Sequence, residues 1–275
     1  MQKSIFFCEI SHLGRVAEGE FDDVFAALRR LGIEGFQFSD SDIERAGEER
    51  LLAALARHRM RAEIIHTVVP LLSADEETFR AACARAEELL PLLHRFSCKR
   101  LMIVALPVSD VAGEADRERA MARMIEGLSH IVCAASGQGI EIYIENFSKT
   151  LLPYTSVSDV ERILDAVPGL KYTFDVGNFI CVGVDPFEAY ARLRERVSVL
   201  HLKNFSATED PRGILCADGH RVGGLPFDEG TFDMPRFLRT ATTQGGTIHP
   251  VIEHNAYIPL ADIARSAALT DRLLN

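Results

Sequence analysis

Eight short runs rich in β-branched, aromatic and aliphatic residues recur along the 275-residue chain, each separated from the next by a longer stretch with helical spacing. The runs are Ser4–Cys8, Gly35–Ser39, Ala62–His66, Leu101–Leu106, Ile140–Glu145, Lys171–Asp175, Val197–Lys203 and Ile248–Glu253. Between them, Phe21-x-x-Val24-Phe25-x-x-Leu28 and Val160-x-x-Ile163-Leu164-x-x-Val167 place apolar side chains on one helical face; Ser158, with Glu161 three residues on, reads as the N-cap of the second. Eight strand–helix units with no linker between them predict a single (β/α)8 TIM barrel over residues 1–275, with a long loop after the seventh strand at about 204–231. The rival, an open doubly wound sheet, lacks a G-x-G-x-x-G after its first strand.

Composition narrows the function. Lys plus Arg number 30 and Asp plus Glu 40, a net charge of −10, the wrong sign for a surface that holds a polyanion, so nucleic acid is not an expected partner. The apolar N-terminal run is too short for a signal peptide, and no apolar stretch has the length of a membrane span; the expected location is the cytoplasm, with no membrane partner. Six cysteines without a C-x-x-C pair read as reduced thiols.

Strand parity carries the functional argument, because residues i and i+2 share a face. Ile140, Ile142 and Ile144 form an apolar face that belongs under the helices, which turns Glu145 inward at the C-terminal end of its strand; the same alternation turns Asp175, His201 and Glu253 inward. Barrel active sites are built at that end. Taken singly, an acidic residue at a strand tip is usually solvated. Three carboxylates and an imidazole converging from four successive strands repel one another unless a cation neutralises them. Glu145, Asp175, His201 and Glu253 are therefore read as ligands of one divalent metal ion, with Mn, Mg or Co favoured by the oxygen-rich set and Zn allowed. Lys203 and His66 share the inward parity and, with Asn178, are candidate substrate-binding residues. The structural alternatives are a salt bridge for Lys203, a satisfied core position for His66 and a turn residue for Asn178.

The runs Ile-Glu145-Asn-Phe, Phe-Asp175-Val-Gly-Asn178, Leu-His201-Leu-Lys203-Asn, Asp228-Glu-Gly-Thr-Phe-Asp233 and Val-Ile-Glu253-His together resemble the xylose isomerase-like barrels, a superfamily of ketose 3-epimerases, inosose-pathway enzymes and endonuclease IV. The resemblance implies that Glu145, Asp175, His201 and Glu253 bind the metal and that the two glutamates also move protons. Many relatives carry His three residues after the Asp; here that position is Asn178, which can hydrogen-bond a hydroxyl but cannot shuttle a proton. The epimerases' Arg shortly after the metal His is also missing; Arg212 and Arg221 lie farther along.

These features predict a metal-dependent sugar or sugar-phosphate isomerase or epimerase. The fifth and eighth strands approach the metal from nearly opposite sides, so Glu145 and Glu253 can flank one substrate carbon while a chelated hydroxyketone is deprotonated to an enediolate. The alternative is a dehydratase of a cyclic polyol ketone such as inosose or 3-dehydroshikimate, in which the same enolate expels water. Less favoured are a non-catalytic metal- and polyol-binding barrel and an abasic-site endonuclease. Asp218-Gly-His220 in the long loop is read as part of a lid with tight turns in preference to extra metal ligands. Phe36, Phe38 and Phe79 are read as core, and the expected partner is a small sugar or polyol, with homo-oligomer formation through barrel helices left open.

Overall fold

The structure is a computed structural model that describes residues 2–107, 113–149, 151–243 and 248–274. Its strands are β1 (Lys3–Phe6), β2 (Ile33–Ser39), β3 (Arg61–Val69), β4 (Arg100–Ala105), β5 (Glu141–Glu145), β6 (Lys171–Asp175), β7 (Val197–Leu202), β8 (Asn204–Ala207), β9 (Ile214–Leu215), β10 (Arg221–Leu225) and β11 (His249–Ile252). Eight of these close a barrel in the order β1-β11-β7-β6-β5-β4-β3-β2, every neighbour parallel, with helices between consecutive strands. All eight expected strands are therefore present.

Alternation along the strands separates two apolar clusters. Phe6, Ile64, Met102, Val104, Tyr143, Val199 and Val251 fill the barrel interior. Ile142, Ile144, Tyr172, Phe174, Leu200 and Ile252 face outward into the layer shared with the helices. In that layer Phe25, on the helix Asp22–Arg30, lies 4.6 Å from Phe36 between ring centres, while Phe7 lies 4.8 Å from Phe38. Removing a fully buried ring of this kind costs about 3–5 kcal/mol. Phe79 is also buried.

Apart from other one- and two-residue shifts at strand ends, four differences from expectation have a physical reason. First, β1 stops at Phe6, and Phe7–Ile10 forms a 3₁₀ turn that puts Phe7 into the outer aromatic layer and buries Glu9. Second, β3 continues three residues past His66, because Thr67, Val68 and Val69 pair with Ile103, Val104 and Ala105. Third, the helix Val157–Ala166 is capped by Ser156 and Asp159 in a reciprocal capping box, two residues upstream of the Ser158/Glu161 pair with the same spacing. Finally, the segment expected to be a long loop contains the antiparallel sheet β8-β10-β9. Asp218 and His220 sit exposed on the β9–β10 turn, paired with each other.

Among the described residues no helix is long and apolar enough to cross a membrane.

Candidate metal centre at the barrel mouth

The register of the barrel sets Asp175 beside His201, and His201 beside Val251, with Glu253 following two residues later. Glu145, Asp175 and His201 each bring a ligand atom within 4.8 Å of the others. His201 is fully buried, and its Nδ1 lies 2.9 Å from Glu145 Oε2, 3.3 Å from Glu253 Oε2 and 3.5 Å from Asp175 Oδ2. Lys203 Nζ lies 2.8 Å from Asp175 Oδ2 and 2.7 Å from Glu253 Oε1. Five of the residues singled out by parity thus meet in one buried cluster.

Neighbouring polar groups hold the strand tips. Asn146, fully buried, accepts from the Tyr172 hydroxyl at 2.7 Å and the Asp175 N–H at 2.9 Å, and donates to the Asp175 carbonyl at 2.9 Å, stapling β5 to β6. Asp175 Oδ1 accepts from the Asn178 N–H at 2.8 Å as an N-cap, which leaves Oδ2 for the centre. The Asn178 side chain donates to the Asn146 carbonyl at 2.9 Å, so in this structure it is tied to the staple. Gly177 is required here, since a Cβ would come within 2.6 Å of both Lys203 Cβ and the Phe205 ring.

His66 stands apart from the carboxylates, against Phe6 at 5.5 Å between ring centres; Phe6 also meets the edge of His201 at 5.1 Å. Burial pushes the His66 imidazole down to about 4, so it is neutral at physiological pH.

The electrostatics are those of a crowded acidic site. Burial opposes a charge on His201, but the Asp175, Glu145 and Glu253 carboxylates crowding its Nδ1 outweigh it and raise the imidazole to about 9. Glu253 is pushed up to about 8 by burial, against the pull of Lys203 and His201. Asp175, equally buried, is held down at about 2 because Lys203 and His201 both bear on it. Burial works against the Lys203 ammonium, and Asp175, Glu253 and Glu145 together keep it charged.

Two residues escaped sequence reasoning. Gln37, fully buried on β2, accepts from His201 Nε2 at 2.9 Å. Glu9 accepts from the His254 N–H, from the Asn255 N–H at 2.6 Å and from His254 Nδ1 at 3.1 Å, while His254 Nε2 meets Ser266 Oγ at 2.8 Å. This buried chain fixes the backbone immediately after Glu253. Parity along Phe36-Gln37-Phe38 turns Gln37 inward and was the available signal; Glu9, in a 3₁₀ turn, had none.

A cleft of about 580 Å³ opens beside Glu253, with Glu253 and Glu9 lining it from the barrel, Gly224 from the small sheet and Asp210 and Arg212 from the loop between β8 and β9. Tyr257, 74% exposed, stands at its edge. Arg212 chelates Asp210, and Arg221 donates to the Gly213 carbonyl at 2.6 Å. Gly224 passes so close to β11 that a Cβ would fall 1.6 Å from the His254 carbonyl oxygen.

The donor set fits a divalent ion. Asp175 Oδ2 and Glu253 Oε2 are buried with no hydrogen-bond donor aligned on them, although Lys203 lies at 2.8 Å from the first and His201 at 3.3 Å from the second. Buried carboxylate oxygens in that condition are costly unless a cation completes them.

A barrel closed by eight parallel strands, with carboxylates and a histidine at the strand tips, defines the class. The chain belongs to the xylose isomerase-like TIM barrel family, whose model matches residues 25–270. Among solved structures, it is similar to the probable 3-DHS dehydratase AsbF of Bacillus anthracis, at 17% identity and TM-score 0.73 over 100% of this chain and 99% of that one. It is also similar to an L-ribulose 3-epimerase, at 14% identity and TM-score 0.76 over 100% and 95%. A third is a xylose isomerase-like barrel of Mycobacterium smegmatis in complex with magnesium, at 20% identity and TM-score 0.63 over 92% and 89%. At these identities the likeness is one of fold. No sequence among the curated proteins matches the chain.

Proposed function

We propose that the chain is a divalent-metal-dependent isomerase or epimerase of a sugar or related polyol. The observation that carries the reading is the position of Glu253, which touches the His201–Lys203 cluster and also lines the open cleft. Glu145, Asp175 and His201 would hold the ion, with Glu253 closing the set on the cleft side. The bound ion would supply Lewis-acid polarisation of a carbonyl, making the neighbouring C–H acidic.

The chain's own residues then account for the proton's path. Glu253, deprotonated once it ligates the ion, lines the cleft by which the substrate approaches and is placed to act as the base. Glu145 lies three strands away around the ring and meets the same His201 Nδ1. A proton removed by one and returned by the other inverts a carbon centre; returned to the adjacent carbon, while the hydroxyl proton passes to the former carbonyl oxygen, it moves the carbonyl. Lys203, charged and buried, is placed to hold a substrate oxygen as negative charge develops.

A second reading is supported by the likeness to the probable 3-DHS dehydratase: the same proton abstraction followed by loss of a β-hydroxyl. One experiment separates the two. Ketoses and cyclic polyol ketones are incubated in deuterated buffer with the Mn²⁺-loaded protein, and solvent deuterium at the α-carbon and ultraviolet absorbance are followed together. Exchange without a new chromophore supports the isomerase; an enone or aromatic product supports the dehydratase. Glu145→Gln and Glu253→Gln should each reduce exchange by about 10²–10⁴-fold. Undiminished exchange in both variants removes the proton-transfer assignment.

A further inference from the structure

We propose that Gln37 is the positioning residue of the metal centre: its side-chain oxygen takes the Nε2 proton of His201 and so commits Nδ1 to the ion. This rests on the metal-site reading above and assigns a function to a residue that reading does not use.

The argument begins with the two ends of one amide. Gln37 Oε1 lies 2.9 Å from His201 Nε2, whereas Nε2 of Gln37 lies 3.5 Å from His66 Nδ1 and 3.8 Å from Met102 Sδ. Met102 Sδ can only accept, and His66 Nδ1 accepts in the Nε2–H tautomer, so the amide nitrogen belongs on that side and the oxygen is left for His201. Rotating the amide by half a turn would set two donors against His201 and an oxygen against the His66 and Met102 acceptors.

The opposite side of His201 fixes the other half of the assignment. Nδ1 faces Glu145, Glu253 and Asp175 at 2.9, 3.3 and 3.5 Å, so it is the nitrogen directed at the cation site. An imidazole that ligates through Nδ1 must carry its proton on Nε2, and a buried Nε2–H needs an acceptor. Among the described residues the acceptor bonded to Nε2 is Gln37. The Phe6 ring, edge-on at 5.1 Å, leaves the imidazole plane little freedom to turn away.

The chemistry predicts that the acceptor matters and that the amide's donor end matters less. Gln37→Glu keeps an oxygen on Nε2–H, while Gln37→Leu leaves the proton without a partner in a site of similar volume. Mn²⁺ affinity is measured by titration calorimetry and by the electron paramagnetic resonance of free Mn²⁺. The ring ¹⁵N shifts of His201 are read in Zn²⁺-loaded protein. Gln37→Leu should weaken Mn²⁺ binding by about 10–100-fold. Gln37→Glu should stay within a few-fold of the parent. The parent's ¹⁵N shifts should show a metallated Nδ1 and a protonated Nε2. Melting of the chelator-treated variants checks that each folds; should Gln37→Leu fail to fold, the ¹⁵N pattern and the Gln37→Glu affinity decide alone.

Parent-like affinity in a folded Gln37→Leu variant, equal loss in both variants, or a metallated Nε2 overturns the proposal and leaves the metal reading standing. A parent protein that binds no divalent ion overturns both.

Discussion

Binding of a divalent ion should expel about two protons from this protein at neutral pH, and the number follows from the two groups whose acidity the fold has weakened. His201 is raised to about 9 and Glu253 to about 8. At pH 7 the first is protonated on the order of 100:1 and the second on the order of 10:1. A metal ligand must be deprotonated, so both protons leave as the ion arrives. Asp175, held at about 2, contributes none.

The apparent association constant should therefore rise roughly 100-fold per pH unit between pH 6 and 7, about 2.7 kcal/mol, and level off above pH 9. Because the groups interact, the two steps belong to the cluster as a whole and not to single residues. The sign for the metal-free fold is opposite. Both folded values lie above the unfolded ones of 6.5 and 4.5, so these groups stabilise most at mildly acidic pH. That contribution is lost as pH rises through about 8 and then about 9. Calorimetric titration of Mn²⁺ in buffers of differing ionisation enthalpy counts the protons directly. An ion that binds with no proton release at pH 7, and with a pH-independent constant between pH 6 and 8, would refute the assignment of His201 and Glu253 as ligands.

Two further outcomes follow from the same cluster and its surroundings. Lys203→Met removes the ammonium that faces Asp175 and Glu253, and breaking a buried pair from one side costs about 3–5 kcal/mol, so the chelator-treated variant should melt roughly 10 °C or more below the parent. An unchanged melting temperature means that the lysine is not their counter-ion. Gly224→Ala inserts a methyl group against the His254 carbonyl, where the nearest atom is backbone and cannot turn aside; a loss of about 1–3 kcal/mol in urea unfolding is expected, and a parent-like midpoint would show that the small sheet can lift off β11 freely.

The parts of the centre that could be read in the sequence are those governed by a period of two. Glu145, Asp175, His201 and Glu253 lie at or next to the C-terminal ends of strands whose outward faces are plainly apolar, so the inward tips stand out. Gln37 obeys the same rule, yet a lone amide between Phe36 and Phe38 looks like any polar residue on a strand until His201 is placed beside it by the closing of the barrel. Glu9 lies beyond that rule, because a 3₁₀ turn interrupts the alternation after Phe6. The sheet over the mouth was hidden for a different reason. Its strands are two to five residues long and one carries Gly223-Gly224, so pairing across the sheet, not local propensity, defines them. The shifted cap at Ser156 shows how two overlapping copies of one capping pattern leave the first turn undetermined until packing selects between them.

Asn204 is a buried rivet at the root of the small sheet. Its side chain donates to the carbonyls of Phe227 and Phe232 and accepts from the N–H groups of Phe205 and Phe232, so the outgoing and returning strands of the excursion are fastened at one buried point, three residues from His201. The excursion between Phe205 and Phe227 is held again at its far end, where the Ala217 N–H meets the Cys181 carbonyl at 2.8 Å and Cys216 and Val222 pack on Cys181, and much of the cleft wall belongs to it. Rewriting that excursion would reshape the cleft wall while Glu145, Asp175, His201 and Glu253, carried on other stretches of chain, keep their places.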